Sequence, residues 1–194
     1  MPEPPTPIRH ELISTADEIA NRTANNGYRI SLTNEDYIWG SNGVLANYGM
    51  ELLVASSMLH NERYAQAALE DLHYLLGRNT FSLSFVTRVG ENPFRHPHHR
   101  PSGADNNEEP WPGLLSGGPN KGRQDEVMQK VSPELPPAKI YLDDQGAYSA
   151  NEVAINWNAP LVFLLAGAEE SLEAVPAWGG PSGKGSGKGK SRQP

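Results

Sequence analysis

Apolar residues recur at helical spacing in four stretches of the chain. Between residues 8 and 25, Leu12, Ile13, Ala16, Ile19 and Ala20 form a single stripe at i, i+1, i+4, i+7 and i+8. That spacing predicts an amphipathic helix, and Asn25-Asn26-Gly27 ends it. Tyr28 to Tyr37 is expected to be an extended connector. A second stripe, Val44, Leu45, Tyr48, Leu52, Ala55, Met58 and Leu59, predicts a helix that Ser41 or Asn42 can cap. His60-Asn61 closes it. A third helix is expected from Glu62 to Leu76, with Tyr64, Ala67, Ala68, Leu72, Leu75 and Leu76 on one side and Gly77 at the C′ position. Two helices so close in sequence form an antiparallel αα-hairpin.

Residues 78–148 break the pattern. Phe81 to Val89 is expected as a short strand or extended loop. A long stretch rich in Pro, Gly, Asn and His follows, with a helical hint only near Arg123–Val131. Loops beyond about 15 residues are uncommon unless functional or disordered. A last helix is expected to run to about Ala174. Ser149-Ala150-Asn151-Glu152 resembles a capping box. Pro160 favours a later start instead, with Asn158 as the cap, and leaves Glu152 in the loop before the helix. The proline-rich residues 1–7 are expected to be disordered. Residues 176–194, rich in Gly, Ser and Lys, are expected to be a flexible tail.

Composition narrows the function. The 194 residues include no cysteine, which excludes disulfides and thiolate-ligated metal. The longest nearly unbroken apolar run, Ala159 to Ala168, is 10 residues and contains a proline, whereas a membrane-spanning helix needs about 20. MPEPPTPIRHEL lacks the apolar centre of a secretory signal. The net charge is −7, but the segment from Gly179 holds 4 of the 16 basic residues and no acid, leaving 12 against 23, or −11, for the remainder. An acidic body argues against nucleic acid and is compatible with a neutral, hydroxyl-rich ligand.

Two segments carry candidate chemistry. In Ser84 to Arg100, three of the six histidines, His96, His98 and His99, share a proline-stiffened loop with Arg95 and Arg100. Three readings are open: a metal site, which the arginines oppose; a solvated loop; or a polar wall donating hydrogen bonds to hydroxyls or a carboxylate. In Tyr141 to Pro160, Asp143, Asp144 and Glu152 lie among Tyr141, Tyr148 and Trp157. Carboxylates beside aromatics suit glycoside hydrolysis, because the rings stack on sugars while a low local dielectric keeps one carboxyl protonated. The alternative is structural, with Glu152 in a capping box, Asp143-Asp144 in a turn and Trp157 in the core.

Together the segments resemble hallmark motifs of family-9 glycoside hydrolases, the cellulases and endoglucanases. Ser84, Val86, Thr87, Gly90, His96, Pro97, His98, His99 and Arg100 match one. Tyr141, Asp143, Tyr148, Asn151, Glu152, Ala154, Ile155, Trp157, Asn158, Ala159, Pro160 and Leu161 match the other. Pro112-Gly-Leu-Leu-Ser-Gly-Gly-Pro-Asn120, Tyr37-Ile-Trp-Gly-Ser-Asn42 and Tyr74-Leu-Leu-Gly-Arg-Asn79 are similar to further family stretches. The resemblance covers residues 10–173. It implies an all-α fold, the C-terminal part of an (α/α)6 barrel with long active-site loops, over residues 8–175. It also implies inverting hydrolysis of β-1,4-glucan.

The resemblance makes Glu152 the general acid and places Asp143 in the same catalytic motif. It makes His98 and Arg100 contacts to the sugar next to the scissile bond, with His96 and Tyr148 as further substrate-binding residues. The expected partner is a β-glucan or cello-oligosaccharide, with no nucleic acid and no membrane. Calcium occurs in some family members, but no ligand set is visible here and no cofactor or metal is assigned. Members are usually secreted, so an extracellular parent is expected. The family's Asp-Ala-Gly-Asp motif, which supplies the catalytic base, has no counterpart in this sequence. Four helices in about 175 residues would scale to roughly 500 for twelve, so the chain is expected to be a portion lacking the front half of the barrel. A non-catalytic carbohydrate-binding fragment is the alternative.

Overall fold

The computed structural model describes residues 6–173. Its elements are α1 (Thr6–Asn25), α2 (Ser41–Leu59), α3 (Glu62–Leu75), the short α4 (Arg100–Ala104) and α5 (Tyr148–Asn151), and α6 (Ile155–Glu173). Two 3₁₀ turns, Met128–Lys130 and Pro137–Lys139, interrupt the long loop. Among the described residues there is no strand, only three isolated bridges, so Phe81 to Val89 is extended loop. Among the described residues, no helix is long and apolar enough to cross a membrane.

The α2–α3 hairpin forms as its spacing predicts. His60 turns the chain in the left-handed region (φ 51°), and the Asn61 side chain accepts from the Arg63 N–H to start α3. At the far end, the Gly77 N–H donates to the Tyr74 carbonyl and the Arg78 N–H to that of His73. With Gly77 at φ 129°, this is the Schellman arrangement that satisfies the last helical carbonyls.

α2 lies at the centre of the helical layer, against α1, α3 and α6. Ala16 and Ile19 of α1, Leu45, Leu52 and Ala55 of α2, Ala68 and Leu75 of α3 and Leu164 of α6 are wholly buried between them. Each buried leucine contributes about 1.5–3 kcal/mol. Asp17 joins α1 to α3 by accepting from the Tyr64 hydroxyl (2.9 Å) and pairing with Arg63.

Three expectations are corrected. α1 begins at Thr6, so Thr6 and Pro7 are helical; a proline in the first turn removes no intrahelical bond. Residues 1–5 and 176–194 lie outside the described residues. Neither Ser41 nor Asn42 caps α2. The cap position is Gly40 (φ 88°), and both side chains turn inward: the Ser41 hydroxyl donates to the Pro119 carbonyl (2.7 Å) and Asn42 Nδ2 to that of Ser116 (3.0 Å). α6 starts at Ile155, with Pro160 inside it. Asn158 does not cap it, because its amide is committed to the neighbouring loop, accepting from the Leu115 N–H and donating to the Gly113 carbonyl. Glu152 does precede α6, as the residue that closes α5.

The outer side of α6 is apolar and open. Ile155 is 90% exposed and Val162 63%, with Phe163 and Leu165 beside them.

Candidate functional site

The loops over the helices carry the site, and side chains bonded to backbone take the place of a sheet. Asn151 is the hub. Its Oδ1 accepts from the buried Tyr141 hydroxyl (2.6 Å), and its Nδ2 donates to the carbonyls of Leu142 and Asp144. Burial pushes the Tyr141 phenol well above its usual value, outweighing the Ser116 hydroxyl bond, so Tyr141 remains a donor. The Ser116 hydroxyl donates to the Ala150 carbonyl and Asn120 Nδ2 to that of Ser149. Asp125 Oδ2 takes both the N–H and the hydroxyl of Ser149. Ser149 is therefore consumed in holding α5 and does not form the capping box its spacing suggested. Several of these buried groups, those of Ser116, Asn120 and Asp125, find partners 24 or more residues away in sequence, which meets the need of buried polar groups for hydrogen bonds.

This framework presents Glu152. Its carbonyl accepts from the Gly117 N–H (3.0 Å), and the His98 N–H bonds the preceding Asn151 carbonyl (2.8 Å), so the segments before and after Glu152 are held by two loops. The carboxylate Oε2 accepts from the Trp39 indole N–H at 3.0 Å. Trp39 packs on Tyr148 with ring centroids 5.7 Å apart, and the His98 ring also lies 5.7 Å from that of Tyr148. Trp39 and Tyr148 remain 36% and 38% exposed. A part-exposed carboxylate, two part-exposed aromatic rings and an imidazole thus cluster together.

The three histidines diverge. His98 Nδ1 is 2.9 Å from the Gln145 carbonyl. A carbonyl only accepts, so Nδ1 carries the proton, and Nε2 has no hydrogen-bond partner among the described residues. His96 Nδ1 stands 3.4 Å from Asp143. His99 caps α4, with Nδ1 2.9 Å from the Ser102 hydroxyl. The rings have separate partners, and among the described residues no group of three or more His, Asp or Glu gathers as a cation cage.

Asp143 is occupied. Its Oδ2 accepts from the Arg95 N–H (2.8 Å) and its Oδ1 from the His96 N–H (2.9 Å). It clamps the histidine loop by its backbone. Arg100 opens α4, exposed and without a hydrogen bond or ion pair among the described residues. Arg95 instead pairs with Glu109.

Trp157 packs rather than binds. Its ring lies so close to Gly40 and Gly43 that a Cβ at either would fall 2.5 or 2.3 Å from it, and Gly117 closes on its far edge. The exposed tryptophan beside the carboxylate is Trp39. Sequence reasoning assigned it no role, although the Tyr37 to Asn42 segment that contains it stood out.

The glycosyl hydrolase family 9 model matches residues 8–165. Cellodextrinase of Butyrivibrio fibrisolvens is 43% identical over 163 residues, covering 84% of this chain and 30% of the relative. Endoglucanase D of Acetivibrio thermocellus is 41% identical over 160 residues, covering 82% and 23%. Among solved structures, a thermostable endoglucanase from Alicyclobacillus acidocaldarius superposes with a TM-score of 0.80 at 37% identity, covering 84% of this chain and 31% of that one. The chain thus spans less than a third of each relative, and its helices are part of an (α/α)6 barrel. From the matched segment and the shared architecture together, this chain belongs to glycosyl hydrolase family 9.

Proposed function

We propose that this chain carries the acid side of an active site that hydrolyses β-1,4-glucosidic bonds in cellulose or a related β-glucan. The observation that carries the reading is the cluster of Glu152 with Trp39, Tyr148 and His98. Trp39 and Tyr148 offer flat faces to pyranose rings, and His98 Nε2 and Arg100 supply polar contacts to hydroxyls. Trp39 holds one oxygen of Glu152, which leaves the other to deliver a proton to the departing glycosidic oxygen. His96 and Asp143 hold the loop that presents His98 and Arg100.

An inverting reaction also needs a carboxylate that deprotonates water across the bond. Both oxygens of Asp143 already accept backbone N–H groups, so it is not poised for that role. The base is assigned to another part of the catalytic domain. A glucan polymer does not cross a membrane, so the parent enzyme acts outside the cell.

The test is glucan hydrolysis by a catalytic domain containing this segment. Glu152→Gln should lower kcat by about 10²–10⁴-fold, the range for a general acid, and NMR should show the α-anomer as first product. Unchanged kcat in Glu152→Gln overturns the assignment, and a β-anomer overturns inversion. The occupied Asp143 also favours a second reading for the chain by itself, binding without cleavage. Calorimetry with cellotetraose should then show binding while no reducing ends appear.

A further inference from the structure

Trp111 lies outside the cluster around Glu152 yet is 48% exposed. It is held rigidly for an exposed side chain. Its indole N–H donates to Asp105 Oδ2 at 2.7 Å, its backbone N–H donates to the Ser102 hydroxyl at 3.1 Å, and its carbonyl accepts from the Thr87 hydroxyl at 2.6 Å. The His99 ring meets it at 5.3 Å and 68°. Asp105 is a firm anchor, because the Asn107 N–H and the indole N–H hold its carboxyl below the usual range, so it stays ionised. Pro110 and Pro112 flank the ring and stiffen the backbone on both sides.

Trp111 lines an open cavity of about 340 Å³, together with Arg88, Asn107 and Glu108. That volume is at the lower end of the roughly 300–1,000 Å³ of small-ligand sites. Arg88 and Glu108 make no side-chain hydrogen bond or ion pair among the described residues, so a donor and an acceptor stand free at the rim. A fixed indole edged by a free guanidinium and a free carboxylate matches a pyranose ring, whose C–H face is apolar and whose perimeter is hydroxyl. His98 meets Tyr148 whereas His99 meets Trp111, so the two neighbouring rings contact different aromatic residues, and none of Trp39, Tyr148 and Glu152 lines this cavity.

We propose that Trp111 and the cavity beside it form a second β-glucan-binding site, separate from the Glu152 cluster and without catalytic chemistry. The glucan as ligand rests on the function proposed above; the site itself rests on the local geometry.

The probe is hydroxyethyl cellulose in native affinity electrophoresis, run with the full chain and with Trp111→Ala, Trp39→Ala and the double variant. Trp111→Ala should weaken retardation on the order of tenfold, the effect of truncating an anchoring aromatic. Trp111→Phe should retain most of the affinity, and the double variant should lose more than either single one. Arg88→Ala, which removes no internal bond, should weaken binding roughly threefold and serves if Trp111→Ala loses its helical circular dichroism. Wild-type retardation in both Trp111→Ala and Arg88→Ala, with loss only in Trp39→Ala, overturns the second site and leaves the Glu152 reading standing. Loss only in Trp111→Ala supports the second site and removes the cleft as a binding surface. No retardation of the wild-type chain overturns both.

Discussion

Replacing Gly43 with alanine sets two effects against each other. Gly43 lies in the first turn of α2, and alanine in a helix is favoured over glycine by about 1 kcal/mol. The new Cβ, however, would lie 2.3 Å from Trp157 Cδ1, 2.6 Å from Cγ and 3.1 Å from Cβ. The clash is at the root of the side chain, where rotation gives little relief. The far edge of the ring is blocked as well, since Gly117 approaches Cζ3 to 3.3 Å. Relief therefore requires the start of α6 to move away from α2. Overpacking of this kind costs about 1–3 kcal/mol, and a rigid ring braced on two sides belongs at the upper end. The net expectation is a loss of about 2 kcal/mol.

Gly49→Ala is the matched control. It lies in the same helix, and the nearest atoms to its added Cβ are the methyls of Leu164 at 3.0 Å, which can shift by a few tenths of an ångström. Urea unfolding followed by circular dichroism should place Gly49→Ala near wild type and Gly43→Ala about 2 kcal/mol below it. Because α6 follows Glu152 by only two residues, Gly43→Ala should also weaken glucan binding. A Gly43→Ala chain as stable as Gly49→Ala would refute the argument that Trp157 is immovable.

Trp39→Phe keeps a ring against Tyr148 but removes the N–H that holds Glu152; in a catalytic domain containing this segment, steady-state kinetics should show kcat falling roughly tenfold with KM little changed. Asp143→Asn puts an amide where the Arg95 and His96 N–H groups need acceptors, and should cost about 1–3 kcal/mol in urea unfolding and weaken cello-oligosaccharide binding by calorimetry. Burial raises the Asp71 carboxyl to about 7, against the pull of Ser31, Arg22 and Arg78. A folded value above the unfolded one means that the folded state holds the proton more tightly, so the contribution of Asp71 to stability should be fully present below about pH 4 and be lost as pH rises to about 7, by as much as about 4 kcal/mol. Urea midpoints across that window should show wild type losing stability relative to Asp71→Asn as pH rises.

The helices were legible because their information is local. The apolar stripes of α2 and α3, the break at His60-Asn61 and Gly77 all act within a turn or two, and each formed where its spacing indicated. Errors arose where a locally plausible residue had a distant obligation. Ser41 and Asn42 had the chemistry of caps, but Pro119 and Ser116 needed their donors. Asn158 had the position of a cap before Pro160, but the loop at Gly113 and Leu115 claimed it. The motifs located Glu152, His98 and Tyr148. They gave no sign that Trp39, 113 residues earlier, donates to Glu152, or that Asp143 is filled by amides 47 and 48 residues away. Those contacts exist only once the loops close over α2.

Beside a few backbone bonds, the loops around Glu152 are held by unlike bonds that run from particular side chains to chosen carbonyls or amides. A β-ladder offers nearly equivalent pairings one or two residues along and can slip between them. Asn151 has no second set of carbonyls to fall into, nor does Asp143 have a second pair of amides. Such a surface has one arrangement or none. It resists drift in shape, so distances around the carboxylate stay constant without regular secondary structure. The corollary is brittleness to substitution: a single change at Asn151 releases Tyr141, Leu142 and Asp144 at once, and no neighbouring register is available to recapture them.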